Sequence, residues 1–226
     1  MPLYRQFKTL DDISSYHAAE RPEHSAFLFG NRVTTYGELD RYAKQVANGL
    51  SELVEAGQRV AVLAKNCDVF FELLLGASKC GVVLVGVNWR LAAPEVEYIV
   101  NDSETRVLFI ASGFLPLLES IRPQLPLLEK VVVIEGDGAE SYHRWRDIQS
   151  EYEISRSPSG EDTVIQLYTS GTTGRPKGVQ ISSAALLAQR EAECRLGGWQ
   201  LSGPEDVILV AMPLFHIGGT ATGLIS

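Results

Sequence analysis

Apolar positions along the chain repeat in two rhythms, and the changes between them mark out short strands and helices. Leu39, Ala43, Val46, Leu50 and Leu53 recur at intervals of three and four, the stripe of an amphipathic helix. Thr35 stands ahead of that stripe with Glu38 three residues on, the spacing of a capping box, and Gly57 follows closely as a chain-reversing residue. Arg59 to Leu63 reads as a buried strand. Asp68 to Lys79 is apolar on nearly every side, so the helix it predicts must be covered by more than one layer. Val82 to Val87 returns to a strand pattern, and Ala93-Pro94-Glu95 opens a helix with proline in its first turn. Strands at Arg106 to Ile110 and Val131 to Glu135 flank a helical piece around Phe114 to Arg122. Beyond them lie a strand at Thr163 to Tyr168, a helix from Ser183 to Arg195 and a strand at Val207 to Ala211.

Strands alternating with helices in this way predict an α/β fold, an open and mainly parallel sheet with helices on both faces. The stretch Ile154 to Asp162, rich in Ser, Pro, Gly and charge, divides the chain into an N-terminal α/β subdomain over 1–153 and the start of a second over 163–226.

Composition narrows the partners. Twenty-eight acidic residues against 20 basic give a net charge of −8, opposite to what a nucleic-acid surface requires, so no nucleic acid is expected. No apolar run is long enough for a transmembrane segment, and the polar start carries no secretory pattern. Three scattered cysteines fit a reduced, cytoplasmic location, with Cys67 and Cys80 packed as small apolar groups. The four histidines show no paired zinc spacing, and no metal ligand is assigned.

The candidate chemistry sits in Thr169-Ser170-Gly171-Thr172-Thr173-Gly174-Arg175-Pro176-Lys177-Gly178, directly after a strand. Its glycines admit a close backbone approach, its hydroxyls and amides form a ring of donors, and Lys177 adds a positive charge at the far end. Polyphosphate oxygens accept such bonds and need their mutual repulsion offset. In the common P-loop a lysine directly follows the second glycine; here Lys177 follows Gly174 by three positions and Pro176 intervenes, which disfavours a kinase or GTPase. The bland alternative is a hydrophilic turn between two strands.

This loop resembles the signature of the acyl-adenylate-forming superfamily, which includes acyl-CoA synthetases, luciferase-like enzymes and adenylation domains of peptide synthetases. Met212-Pro213-Leu214-Phe215-His216-Ile217-Gly218-Gly219 is similar to that superfamily's second motif. Val87-Asn88-Trp89-Arg90-Leu91 with Pro94-Glu95 looks like a segment of its acyl-CoA synthetase branch. The resemblance implies ATP, Mg²⁺ and coenzyme A as cofactors and a small-molecule carboxylic acid, fatty or aryl, as substrate. Carried over by position, Thr169, Ser170, Thr172, Thr173 and Lys177 hold the β- and γ-phosphates, with Gly171 and Gly174 letting the backbone close in. His216 lies beside the carboxylate, and with Lys177 it is the catalytic candidate. Phe70, Phe71 and Trp199 are read as core, and Arg90 as an ion-pair or capping residue. Two positions depart from the pattern: Gln166, where an apolar residue is usual, and Ser183, where histidine is common.

The sequence ends at Ser226, soon after the second motif. The expectation is therefore the N-terminal part of an incomplete adenylate-forming domain, inactive alone, that forms a homo-oligomer through an exposed sheet edge or leans on a missing portion. A non-catalytic phosphate-binding or assembly fragment and a peptide-synthetase adenylation domain are the competing readings.

Overall fold

The computed structural model describes residues 7–136, 138–139, 141–170, 175–195 and 206–225, the side chains of 193–195 and 225 excepted. A first helix, α1 (Asp12–Glu20), precedes an antiparallel hairpin of β1 (Ser25–Phe29) and β2 (Arg32–Thr35). Next come α2 (Tyr36–Ser51), β3 (Arg59–Leu63), α3 (Val69–Cys80), β4 (Val83–Gly86), α4 (Ala93–Asp102) and β5 (Val107–Ile110). They are followed by α5 (Leu115–Ile121), β6 (Lys130–Val133), α6 (Tyr142–Asp147), β7 (Thr163–Thr169), β8 (Lys177–Ser182), α7 (Ser183–Arg195) and α8 (Ile217–Ile225). The main sheet runs β6-β5-β3-β4-β7-β8, parallel throughout except where β8 pairs antiparallel with β7. It is the open, mainly parallel α/β sheet that the alternating pattern predicts.

Alternation along each strand feeds two cores. Val60, Val62, Leu84, Phe109 and Leu167 point to the face covered by α2, α3 and α6. Ala61, Leu63, Val85, Leu108 and Ile110 point to the face covered by α4 and α5. All twelve residues of α3 are buried, as a helix without a polar side must be when it lies between the sheet and α2. Helix α2 starts on the capping box read from its sequence: the Glu38 amide donates to Thr35 Oγ1 at 3.2 Å, and the Thr35 amide donates to Glu38 Oε2 at 2.9 Å. Phe70, Phe71 and Cys80 are core, and Cys67 is half-buried beside it. Trp199 and the Cys194 side chain lie outside the described residues.

Three differences from the sequence reading have physical causes. The expected strand at Val207 to Ala211 is not one: among the described residues no strand pairs with 207–211, and Val207 and Leu209 are 78% and 87% exposed. β-Propensity stabilises a strand only where a neighbouring strand takes up its backbone groups. Conversely, Lys177 to Ser182 forms β8, because β7 supplies the partner. Helix α8 escaped notice because Gly218, Gly219, Thr220, Thr222 and Gly223 are weak helix formers, held here by packing. The segment 154–162 carries neither strand nor helix; within it Arg156 donates to the Cys80 carbonyl at 2.8 Å and pairs with Asp162 at 3.2 Å. Ser183, where histidine is common, is buried, and its hydroxyl accepts from the Leu10 amide at 3.1 Å, tying the N-terminal segment to α7.

Polar seams join the helices on the α3 side. Lys79 is 3% exposed, and its ammonium meets Asp40 at 3.2 Å and donates to Ser15 Oγ at 3.0 Å. Burial alone would raise the Asp40 carboxyl; Lys79 and Lys44 more than offset it and hold the group below its ordinary range. In α1, burial and then the charge of Arg21 push His17 down from 6.5 to about 4, and its Nδ1 accepts from Arg21 Nε at 3.2 Å. The folded imidazole is thus neutral where the unfolded one protonates. Its contribution is full above 6.5 and is lost as pH falls from 6.5 through about 4. The unfolding midpoint of His17→Gln is expected to decline less than that of the parent between those pH values; parallel declines would count against it.

Candidate active site

Adjacent strands β3 and β4 leave the sheet in opposite directions. After β3 the chain enters α3 on one face, and after β4 it enters α4 on the other. Such a switch opens a crevice at the carboxyl ends of the strands, where ligands of open α/β sheets bind. Both sequence motifs are delivered to that end.

The second motif is seated across the crevice. Asn66, in the connection after β3, donates through Nδ2 to the Met212 carbonyl at 2.9 Å, and its Oδ1 accepts from the Leu214 amide at 3.0 Å. Leu214 and Phe215 are buried anchors, and the Thr220 hydroxyl donates to the Leu214 carbonyl at 2.6 Å. Gly86 ends β4 beneath them: a Cβ there would lie 3.0 Å from Leu167 and 3.1 Å from the Phe215 backbone, so any side chain would crowd both. A Cβ at Gly219 would collide with the Pro213 carbonyl, so the turn from 213 to 219 closes only on glycine. These anchors leave His216 exposed at the start of α8. Its carbonyl accepts from the amides of Gly219 and Thr220 at 3.0 and 3.1 Å, and its ring lies 4.5 Å from that of Phe215.

The first motif connects two antiparallel strands. Strand β7 runs one residue further than its pattern indicated, to Thr169, which pairs with Lys177 at the start of β8. Partners directly opposite in an antiparallel pair project from the same face. Thr169 and Lys177 therefore share the face of Leu167, the residue that meets Gly86 under Phe215. Thr169, Ser170 and Lys177 are exposed, while Gly171, Thr172, Thr173 and Gly174 lie outside the described residues. The segment thus joins two antiparallel strands, and the exposed flanks of this hairpin carry hydroxyl and ammonium groups.

Arg90 is exposed. Its guanidinium stacks over Trp89 at 4.4 Å and its amide donates to Asn88 Oδ1 at 2.9 Å. Sequence reasoning missed Asn66 and Thr220. The signal for Asn66 was its place, a polar residue just past the carboxyl end of a buried strand; Thr220 carried none.

Known proteins resemble this chain over most of its length. Residues 15–226 match the model of the family described as AMP-binding enzyme. A fatty acid–[acyl-carrier-protein] ligase, ScoC of Streptomyces coeruleorubidus, is 38% identical over 220 residues, covering 95% of this chain and 41% of that protein. A long-chain-fatty-acid–CoA ligase of Thermus thermophilus is 34% identical over 209 residues, covering 86% of this chain and 38% of that one. The inhibitor-bound N-terminal domain of FACL13 from Mycobacterium tuberculosis superposes with a TM-score of 0.83 at 27% identity, over 97% of this chain and 55% of that one. The chain spans about two fifths of the length of these curated relatives. With a hairpin of hydroxyls and one ammonium at the carboxyl end of a parallel sheet, and a family match over nearly its whole length, the chain belongs to the AMP-binding enzymes.

Proposed function

We propose that the protein carrying this chain is an acid–thiol ligase that activates a fatty or aryl carboxylic acid with ATP. In that reaction the carboxylate attacks the α-phosphorus and displaces pyrophosphate, and a thiol then takes the acyl group and releases AMP. The observation that supports the reading most is the flanks of the hairpin. Thr169 and Lys177 project together from the face that also holds the His216 turn, exposed and at the carboxyl end of β7. Hydroxyl donors and an ammonium fit a polyphosphate, whose oxygens accept hydrogen bonds and carry charge.

In this reading Thr169, Ser170 and Lys177, with Gly171, Thr172, Thr173 and Gly174 between them, hold the β- and γ-phosphates. Lys177 is a preformed charge aimed at the departing pyrophosphate, and such groups act on the transition state without reorganising. His216 borders the carboxylate, carried by a turn that Asn66 and Thr220 hold from either side. Mg²⁺ bound to the nucleotide would neutralise phosphate charge, and no described residue is assigned to hold it. The free thiols of Cys67 and Cys80 accord with a reducing, cytoplasmic compartment. Burial pushes them up to about 12 and about 11, so neither serves as an acyl acceptor.

The acceptor is coenzyme A in the first reading. The 38% identity to a protein named as an acyl-carrier-protein ligase favours a second, in which the thiol belongs to a carrier protein. Pyrophosphate exchange into ATP, measured on the complete protein with a panel of fatty and aryl acids, tests the activation step. Thioester formation with coenzyme A against carrier protein then separates the acceptors. Exchange that is absent with every acid, or independent of acid, would remove the assignment.

A further inference from the structure

Away from the phosphate face, the hairpin is tied to α4 by side chains that neither motif includes. Tyr168, one residue before Thr169, donates its phenolic proton to Asp102 Oδ2 at 2.6 Å. Gln166 Nε2 donates to the same phenol oxygen at 3.1 Å, so the chain of donors runs from Gln166 through Tyr168 to Asp102. On the other leg, the Tyr98 hydroxyl stands 3.2 Å from Asp102 Oδ1 and 3.2 Å from the carbonyl of Pro176, one residue before Lys177. Its single proton is shared between these two acceptors. The Arg175 guanidinium lies 5.9 Å from the Tyr98 ring centre.

Two features argue that the arrangement serves the hairpin rather than the fold. Asp102 is the last residue of α4 and is exposed, and a carboxylate at the carbonyl end of a helix faces the negative pole of its dipole. Gln166 is 4% exposed in the middle of a strand, and its Oε1 has no hydrogen-bond partner among the described residues. A buried unpaired amide oxygen costs about 1–3 kcal/mol. Each residue carries a local cost where it stands, and both hydrogen-bond the same phenol. Burial, then Asp102, raises the Tyr168 phenol above its ordinary range, so it stays a proton donor.

We propose that Asp102 is a positioning residue for the phosphate-binding hairpin, fixing through Tyr168 and Tyr98 the two legs that carry Thr169 and Lys177. Holding both legs in advance lowers the ordering cost of closing on a triphosphate. The proposal rests on the ligase reading above and adds to it a residue that holds the two flanks of the hairpin.

The test uses the complete protein with the variants Tyr98→Phe and Asp102→Ala, each of which removes hydrogen bonds without opening the core. The KM for MgATP is expected to rise about three- to tenfold in each, the effect of losing roughly one net hydrogen bond. The KM for the carboxylic acid should stay within about twofold. The unfolding midpoint of Asp102→Ala should stay close to the parent's, because relief of the unfavourable charge at the helix end offsets part of the lost hydrogen bonding. In the double variant the effects should combine to less than the product of the singles, since they share one link. A wild-type KM for MgATP in both variants, measured against a parent that does form adenylate, overturns the positioning role alone. So does an equal rise in both KM values with a falling midpoint, which would mark a structural role. A parent with no ATP-dependent activation removes the ligase reading and this proposal together.

Discussion

Replacing Lys177 by alanine is expected to slow acid-dependent pyrophosphate exchange about a hundredfold or more while leaving the unfolding midpoint in place. The size follows from what one preorganised charge contributes when negative charge is being redistributed: removal of a single transition-state donor typically costs about 10²–10³ in rate. The stability expectation follows from location. Lys177 is exposed at the start of an edge strand, and its backbone pairing with Thr169 does not depend on its side chain. Exposed substitutions of this kind stay within about 0.5 kcal/mol. Lys177→Arg should recover only part of the rate, because a planar guanidinium presents its donors differently from a compact ammonium. An exchange rate within a few-fold of the parent in Lys177→Ala, with the fold intact, would take the lysine out of the mechanism.

The largest effect on stability is expected among the helices that cover the α3 face of the sheet. Glu72 of α3 is 3% exposed, and its Oε2 accepts from Arg146 at 2.7 Å and from Tyr142 at 2.8 Å. Arg146 is 5% exposed, and its guanidinium lies 3.6 Å from the Tyr42 ring centre. Burial works against the Arg146 charge, and Glu72 outweighs it, holding the group above its ordinary range. Arg146→Met keeps the apolar stem but strands a buried carboxylate, at a cost of about 3–5 kcal/mol in chemical denaturation. Adding Glu72→Gln, which still accepts from Tyr142, should restore much of the loss because no charge is then left buried. The idea fails if the single variant loses under about 1 kcal/mol, or if the double is no more stable than the single.

That ion pair was invisible in the sequence, and the reason is general to what could and could not be read. Glu72 looks like the polar side of a helix, and Arg146 lies more than seventy positions later; only the docking of α6 on α3 makes them partners. The same holds for Asn66 with Met212 and Leu214, and for Asp102 with Tyr168. Patterns of local origin were legible. The Thr35–Glu38 cap, the all-apolar α3 and the central strands follow from spacing along one segment. Val207 to Ala211 shows the limit in the other direction, since its β-branched run met no partner among the described residues.

By itself the sequence determined the alternation of strands and helices, the two-faced burial of a mainly parallel sheet, and the hydroxyl- and glycine-rich composition of the segment between Thr169 and Lys177. Hydrophobic period and local hydrogen-bonding chemistry act over a few residues, so they are written where they act. Tertiary structure alone decided that β8 closes the hairpin, that the His216 turn is pinned over Gly86 by Asn66, and that Asp102 reaches both legs of the loop. Each of these depends on the distance between segments far apart in the chain, which the packing of helices against the sheet sets.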